Sequence, residues 1–248
     1  MQLRMFGRTG MQLSVLGFGC GAVGGVMVRG DPADQERLVA RALDAGVNYF
    51  DTAVLYGDGE SENNLGRVLR KLKPANAIVG TKVRVPPGEV GRMADAITMS
   101  LEGSLVRLGL DHVDIFHLHN PITEGGGGSA LSVRQVLDEV VPVFERLRQQ
   151  GKIRFLGISA VGDTAALHQV SMPTSSTARK SSTTYSIHPP PKHCRKVIRR
   201  RIISGCSTTP KRPGLASSAF ACWPAAHYPA RRRGTRLQAL RRSRSAQP

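Results

Sequence analysis

The chain has 248 residues and a formal net charge of +17, with 40% hydrophobic and 5% aromatic residues. That length suits one large α/β barrel or two small domains, and the sequence has no run of about 18 apolar residues, so no helical membrane span is expected. The charge would point to a polyanion partner only if it were spread evenly. It is not: all 18 acidic residues precede residue 171, while 17 of the 35 lysines and arginines follow residue 170.

The chain therefore reads as two regions, a formally neutral 1–170 and a basic 171–248. The second also holds nine of the 15 prolines and three of the four cysteines. Cys20 is the sole cysteine of the neutral region, which suits a reducing compartment. The opening residues carry no apolar leader run. A cytoplasmic location is expected.

In chain order, residues 1–6 and 11–13 flank Gly-Arg-Thr-Gly and read as a small hairpin. Residues 14–19 form a short apolar strand, and a glycine-rich loop runs to Gly30. Asp31 is the N-cap of a helix to about residue 45, with Pro32 at its first position. Leu38, Val39, Ala42 and Leu43 would form its buried face, and Gly46 stops it. Residues 48–51 are a second strand, and 61–71 a helix with Leu65, Val68 and Leu69 inward. Residues 77–82 form a third strand. A long amphipathic helix, 88–108, follows (Met93, Ile97, Leu101, Leu105). Residues 113–119 are a fourth strand, 123–130 a glycine-rich loop and 133–150 a helix. A fifth strand spans 153–159, and another helix begins near Asp163.

Strands alternating with helices at short spacing imply parallel βα units. Each of four strands ends in a polar residue: Asp51, Lys82, His119 and Ser159. In a (β/α)8 TIM barrel such ends converge on one face. Four chemically competent residues at successive strand exits are far more specific than any one of them.

Gly19, Gly21 and Gly24 also fit G-x-G-x-x-G after a strand, with Asp51 as the ribose-binding acid of a dinucleotide fold. That fingerprint needs a helix opening at the third glycine, so that its N-terminus meets the pyrophosphate. The helix signal comes only at Asp31. A loop over a pocket, with glycines allowing close backbone approach, is the better reading.

Asp51, Tyr56, Lys82 and His119 suit one mechanism. A free phenol, with a pKa of about 10, is a poor acid at neutral pH. An adjacent ammonium favours the phenolate. A carboxylate holds that ammonium in place and charged. An imidazole can orient a carbonyl oxygen against the phenol. Together they suit protonation of a carbonyl as hydride arrives from a nicotinamide.

Singly, each residue has a plainer reading. An aspartate at a strand end is usually structural, and a loop tyrosine is usually packed. His117 and His119 are read as alternating on their strand, so that at most one faces the barrel mouth. His117 is then a packing or surface residue, and His112, before the strand, is solvated.

Taken together, these residues resemble the aldo-keto reductase family. Residues 51–57, Asp-Thr-Ala-Val-Leu-Tyr-Gly, are similar to its Asp-Thr-Ala-x-x-Tyr-Gly signature. Thr81-Lys82 closes the third strand as the family's lysine does. Residues 113–121 resemble its fourth-strand signature, whose last histidine, here His119, is catalytic. Residues 151–159 match the approach to its fifth strand. The resemblance covers about residues 3–170. It implies a (β/α)8 barrel, NADPH (NADP) as cofactor, a small carbonyl substrate and no metal. It also implies roles: Tyr56 as general acid, Lys82 and Asp51 tuning it, and His119 orienting the substrate. Ser159 would meet the nicotinamide carboxamide, and Gly19, Cys20 and Asp51 would line the cofactor site. Asn120, with Val54 and Phe18, would form the substrate pocket. The family usually has Asn after that serine, where this chain has Ala160.

From Ser171 the strand and helix periodicity stops. Ser/Thr-rich sequence leads into Pro189-Pro190-Pro191 and arginine clusters at 199–201 and 231–233, which reads as a disordered basic tail. A frameshift explains it better. Each codon can be re-read from the last base of the preceding codon and its own first two bases. Residues 171–191 then permit a segment containing Q-V-V-Y-N, which looks like the family's sixth strand, and 213–228 permit an apolar seventh strand. On that reading the written frame encodes about five βα units, and the last strands and the adenosine-phosphate site are missing. An open sheet edge and weak activity follow. Seventeen tail cations could instead bind polyanions in a salt-dependent way. No nucleic-acid recognition module accompanies them, and the tail aromatics do not interleave with the arginines, so nucleic acid is not the expected partner.

Overall fold

The computed structural model describes residues 1–7, 9–171 and 184–187. A hairpin opens the chain, β1 (Leu3–Met5) pairing antiparallel with β2 (Gln12–Ser14). Then follow β3 (Phe18–Gly19), a one-turn α1 (Val26–Arg29), α2 (Pro32–Asp44), β4 (Tyr49–Asp51), α3 (Glu60–Leu72) and β5 (Ile78–Val83). A 3-10 segment (Pro87–Arg92) leads into α4 (Met93–Leu108) and β6 (Val113–Leu118). The short β7 (Ile122–Thr123) and β8 (Leu131–Ser132) flank the glycine loop. The next helical stretch is α5 (Val133–Gln135), a π-helical turn (Val136–Val140) and α6 (Val141–Gln149). β9 (Ile153–Ser159), α7 (Thr164–Ser171) and β10 (Thr184–Ile187) complete the described chain.

Six parallel strands stand side by side in chain order, β3, β4, β5, β6, β9 and β10. That unbroken order is the (β/α)8 arrangement. It also excludes the dinucleotide fold, whose strand order reverses at its binding crevice.

Local chemistry accounts for the elements. Asp31 caps α2, its Oδ1 accepting from Ala33 N at 2.8 Å, with Pro32 in the first turn. α4 buries Met93, Ile97, Leu101 and Leu108, a stripe at helical spacing. Ser132 caps α5 with a full capping box to Gln135.

Several expectations shift. Helix 88–108 splits, because Pro86 and Pro87 with Gly88 and Gly91 hold its first turn tight as a 3-10 segment. The helix expected over 133–150 carries a π-turn just ahead of Pro142, which cannot donate to the carbonyl four residues back. Ser14 belongs to the hairpin, and only Phe18–Gly19 joins the barrel sheet. Leu38 is exposed, and Gln35 takes the inward place on α2, its Nε2 donating to Val26 O and Gly30 O.

Thr184–Ile187 pairs with Leu156–Ser159 of β9, so the parallel run continues past residue 170 to a sixth strand. The edge of β9 offers a row of unpaired N–H and C=O groups, and Thr, Tyr and Ile favour extended backbone. The rest of the proposed basic tail and its reading in another frame fall outside the described residues.

Two apolar clusters bracket the sheet. The larger lies between strands and helices and includes Phe50, Leu65, Ile97, Phe116 and Phe144. Phe116 and Phe144 stack with centroids 4.9 Å apart. The smaller joins Phe6, Met11 and Leu13 of the hairpin region to Tyr49, Ile78, Ile115 and Phe155 on the inner face of the strands. The hairpin thus plugs the floor of the barrel at the amino ends of its strands, and the mouth lies at the other end.

Candidate active site

Strand alternation places each site residue. On β4, Tyr49 and Asp51 face inward and Phe50 faces the helices. On β5, Gly80 and Lys82 face inward, and their register sets Gly80 beside Asp51 and Lys82 beside His117. On β9, Gly157 sits beside His117. The inner wall therefore alternates large and small residues across neighbouring strands, as barrel layers require. A Cβ on Gly80 would lie 2.5 Å from the Tyr49 hydroxyl, and one on Gly157 2.3 Å from His117 Nδ1. Both glycines are small because a ring occupies their space.

Lys82 is the centre of the polar group. Its side chain is 4% exposed, and its Nζ lies 2.8 Å from Asp51 Oδ2, 2.8 Å from Thr52 O and 3.2 Å from Tyr56 Oη. Three donors on one ammonium meet three acceptors. Burial works against that charge, but Asp51 and Tyr56, through attraction and hydrogen bonds, outweigh it and hold the Lys82 pKa above the ordinary lysine value.

The loop after β4 aims Tyr56. Tyr56 N donates to Ala53 O at 3.0 Å, and Ser61 N donates to Tyr56 O at 3.1 Å. Thr52 Oγ1 and Ser61 Oγ share a hydrogen bond, and Ser61 Oγ also donates to Cys20 O. Gly21 leaves room for the phenol ring, since a Cβ there would sit 3.6 Å from it. The His119 ring stands edge-on to the Tyr56 ring, 6.2 Å between centroids at 88°. Burial, Lys82 and Arg84 lower the His119 pKa against the pull of Asp51, so its imidazole is neutral at physiological pH. The arrangement presents a phenol hydroxyl, backed by an ammonium, and a neutral imidazole to one half-open space at the barrel mouth. That set can hydrogen-bond a carbonyl oxygen and supply it a proton.

Not every expected residue serves that space. Cys20 is fully buried among core side chains, its N donating to Asp51 O. Burial and the charge of Asp51 push its thiol far up against the opposing effect of Lys82, so it is a wall residue that stays protonated. The Asn120 amide is also fully buried. Its Oδ1 accepts from Val85 N, and its Nδ2 donates to Val85 O and Ser129 O. It ties the loops after β5 and β6 together, with both of its N–H groups already used by backbone carbonyls. Phe18 packs on Phe50, centroids 5.8 Å apart, on the helix side of the sheet. Gly19, by contrast, is exposed on the inward row beside Asp51, with no atom within 4 Å of a built Cβ. Ser159 ends β9, and its hydroxyl has no hydrogen-bond partner among the described residues.

His117 and His119 do not fall on opposite faces. Two residues apart on one strand, they point the same way, His117 one layer deeper and fully buried. Tyr49 lies at the same depth, its hydroxyl donating to Asp51 Oδ1 at 3.3 Å. Period-two spacing back from Asp51 and His119 would have found both residues.

Residues 15–197 match the aldo/keto reductase family. L-galactose dehydrogenase of Arabidopsis thaliana is 36% identical over 163 residues, which is 65% of this chain and 49% of that protein. A 6-dehydroglucose reductase of Novosphingobium aromaticivorans is 36% identical over 138 residues, 52% and 42% of the two chains. Among solved structures, aldo-keto reductase AKR11C1 from Bacillus halodurans in its holo form superposes with a TM-score of 0.58 at 27% identity, over 80% of this chain and 63% of that one. The Klebsiella pneumoniae aldo/keto reductase in complex with NADP and acetate gives 0.52 at 27% identity, over 68% and 53%. The chain spans about half the length of the curated relatives it matches. With the parallel strand order and the polar strand ends, the match over most of the chain leads to one conclusion: this chain belongs to the aldo/keto reductase family.

Proposed function

We propose that the chain is built to reduce a small aldehyde or ketone to the alcohol, with NADPH as hydride donor. The observation that carries this is the Lys82 ammonium held between the Asp51 carboxylate, at 2.8 Å, and the Tyr56 hydroxyl, at 3.2 Å. Tyr56 gives its proton to the carbonyl oxygen. Lys82 faces the negative charge left on the phenol oxygen, and Asp51 keeps Lys82 charged and in place. The neutral His119 ring borders the same space and orients the carbonyl oxygen toward Tyr56.

The residues at the mouth fit a nicotinamide. Ser159 offers a hydroxyl without a partner among the described residues, and Gly19 leaves the rim open. Ser159 would hold the carboxamide, and the backbone near Gly19 would border the ring. When bound, the cofactor supplies the hydride that the carbonyl carbon receives. Complexes of NADP and NADPH with structural neighbours from Klebsiella pneumoniae support this choice.

The described sheet is open between β10 and β3, which favours a second reading, a catalytically silent relative that keeps the constellation. Loss of NADPH absorbance on adding small aldehydes to the full chain separates the two. Turnover that disappears in Tyr56→Phe supports reduction, and no turnover across a panel of aldehydes and ketones overturns it.

Among the described residues no helix is long and apolar enough to cross a membrane, and no cluster of metal-ligating side chains occurs. A free, buried Cys20 supports the reading of a reducing, cytoplasmic setting.

A further inference from the structure

We propose that Tyr49 and His117 are positioning residues, a buried relay that fixes the Asp51 carboxylate from beneath and so holds Lys82 against Tyr56. The relay rests on the reduction reading for its purpose but not for its geometry.

Asp51 has two oxygens with different partners. Oδ2 accepts from Lys82, and Oδ1 accepts from the Tyr49 hydroxyl at 3.3 Å. Tyr49 is 1% exposed, and burial, reinforced by the charge of Asp51 and the hydrogen bond to it, keeps it a phenol. It has one proton to give. That proton goes to the carboxylate, because bonds to ionised groups are the stronger ones. The remaining lone pair of the Tyr49 oxygen then faces His117 Nε2 at 3.5 Å.

This direction fixes the state of His117. Burial, with Lys82 and His119, lowers its pKa to about 3 against Asp51, so the ring is neutral and has one N–H. A hydrogen bond to the Tyr49 oxygen needs that proton on Nε2. Nδ1 is then a bare nitrogen, and it is the atom left without a hydrogen-bond partner among the described residues. The opposite tautomer would bury an unsatisfied donor against Gly157.

The sequence makes room for both rings. Gly80 and Gly157 occupy the positions where any side chain would strike the Tyr49 hydroxyl or His117 Nδ1. The chain therefore runs from His117 Nε2–H to Tyr49 O–H to Asp51, and from Asp51 through Lys82 to Tyr56. Asp51 is faced by Lys82 of β5, by Tyr56 and the Cys20 thiol at the mouth end, and by His117 and His119 of β6. Removing the Tyr49 donor leaves Asp51 Oδ1 without that hydrogen bond, so the carboxylate is held less firmly against Lys82.

The test uses the full chain in two arms. In the first, nitrogen-15 NMR of labelled histidine follows His117, assigned by its loss in His117→Leu. A neutral Nε2–H ring between about pH 5 and 9 is expected, with its shifts moving in Tyr49→Phe. An Nδ1–H ring, or a spectrum unmoved by Tyr49→Phe, overturns the relay. In the second arm, NADPH-dependent reduction of a small aldehyde is followed at neutral pH. Tyr49→Phe is expected to lower kcat roughly tenfold and leave KM for NADPH within about twofold. His117→Leu lowers kcat in the same way, and His117→Gln, which keeps a side-chain N–H, restores it. A kcat unchanged in Tyr49→Phe overturns the relay. A chain that turns over no carbonyl overturns the reduction reading alone, since the tautomer still decides the relay.

Discussion

Lys82 is the residue whose removal touches most of the site at once, because its three donors are divided among Asp51, Thr52 and Tyr56. Lys82→Met fills the volume without the charge. It is expected to lower kcat by roughly a hundredfold or more, with KM for NADPH little changed, as steady-state kinetics will show. His117 leaves a different trace, in stability. Its folded pKa, about 3, lies below the ordinary histidine value of 6.5, so below that value the unfolded chain binds a proton that the folded chain refuses. The His117 contribution is therefore whole above about pH 6.5 and is lost as pH falls toward 3. Over that span the loss amounts to a few kcal/mol. Thermal melts are expected to show a shallower acid slope in His117→Leu than in the wild type, whatever its neutral-pH Tm. An unchanged slope would mean that His117 is reachable by protons in the folded state.

At the scale of elements, β4, β5, β6 and β9 act as a ruler whose marks are set by register. Gly80 and Gly157 show how tight that ruler is. Alanine at either position forces the Tyr49 or His117 ring to shift, at a cost of about 1–3 kcal/mol. Gly80→Ala is expected to lower both Tm and kcat, measured by melting and NADPH turnover. The exposed glycine Gly127 has no atom near a built Cβ but a φ of 102°, so alanine there would strain only the loop and is expected to lower Tm alone. Much of this was legible beforehand. Asp31-Pro32 marked the start of α2, the stripe from Met93 to Leu105 marked α4 although Leu108 takes the last buried place, and the polar strand ends marked the mouth. The remainder depends on tertiary partners. Asn120 reads as a pocket amide until Val85 and Ser129 are seen to hold both its oxygen and its N–H groups inside the wall. Cys20 follows a glycine on the inward row, so alternation turns its thiol into the wall once the register of Gly19 with Asp51 is known. Gln35 reads as a surface residue until the carbonyls of Val26 and Gly30 arrive from α1. The strand at Thr184–Ile187 escaped notice because four residues carry too little alternation without the β9 edge beside them.

On the scale of the whole molecule, the hairpin is the least expected contributor to the site. Phe6, Met11 and Leu13 cover the inner face of β4, β6 and β9 from below. Deleting residues 1–13 exposes Tyr49, Ile78, Ile115 and Phe155 together. That chain is expected to bind a hydrophobic dye and to lose its sharp melting transition, while a chain that melts as the wild type would show the floor to be dispensable. The same plug has a consequence for how water and protons travel. With the amino ends of the strands covered by apolar side chains, the polar column is wetted from the mouth and not from below. Tyr56 and His119 meet the solvent first, Lys82 and Asp51 lie behind them, and Tyr49 and His117 form the dry end. A proton entering from the mouth reaches Tyr49 and His117 past the residues placed where a carbonyl would sit, so anything lodged in the mouth slows that exchange.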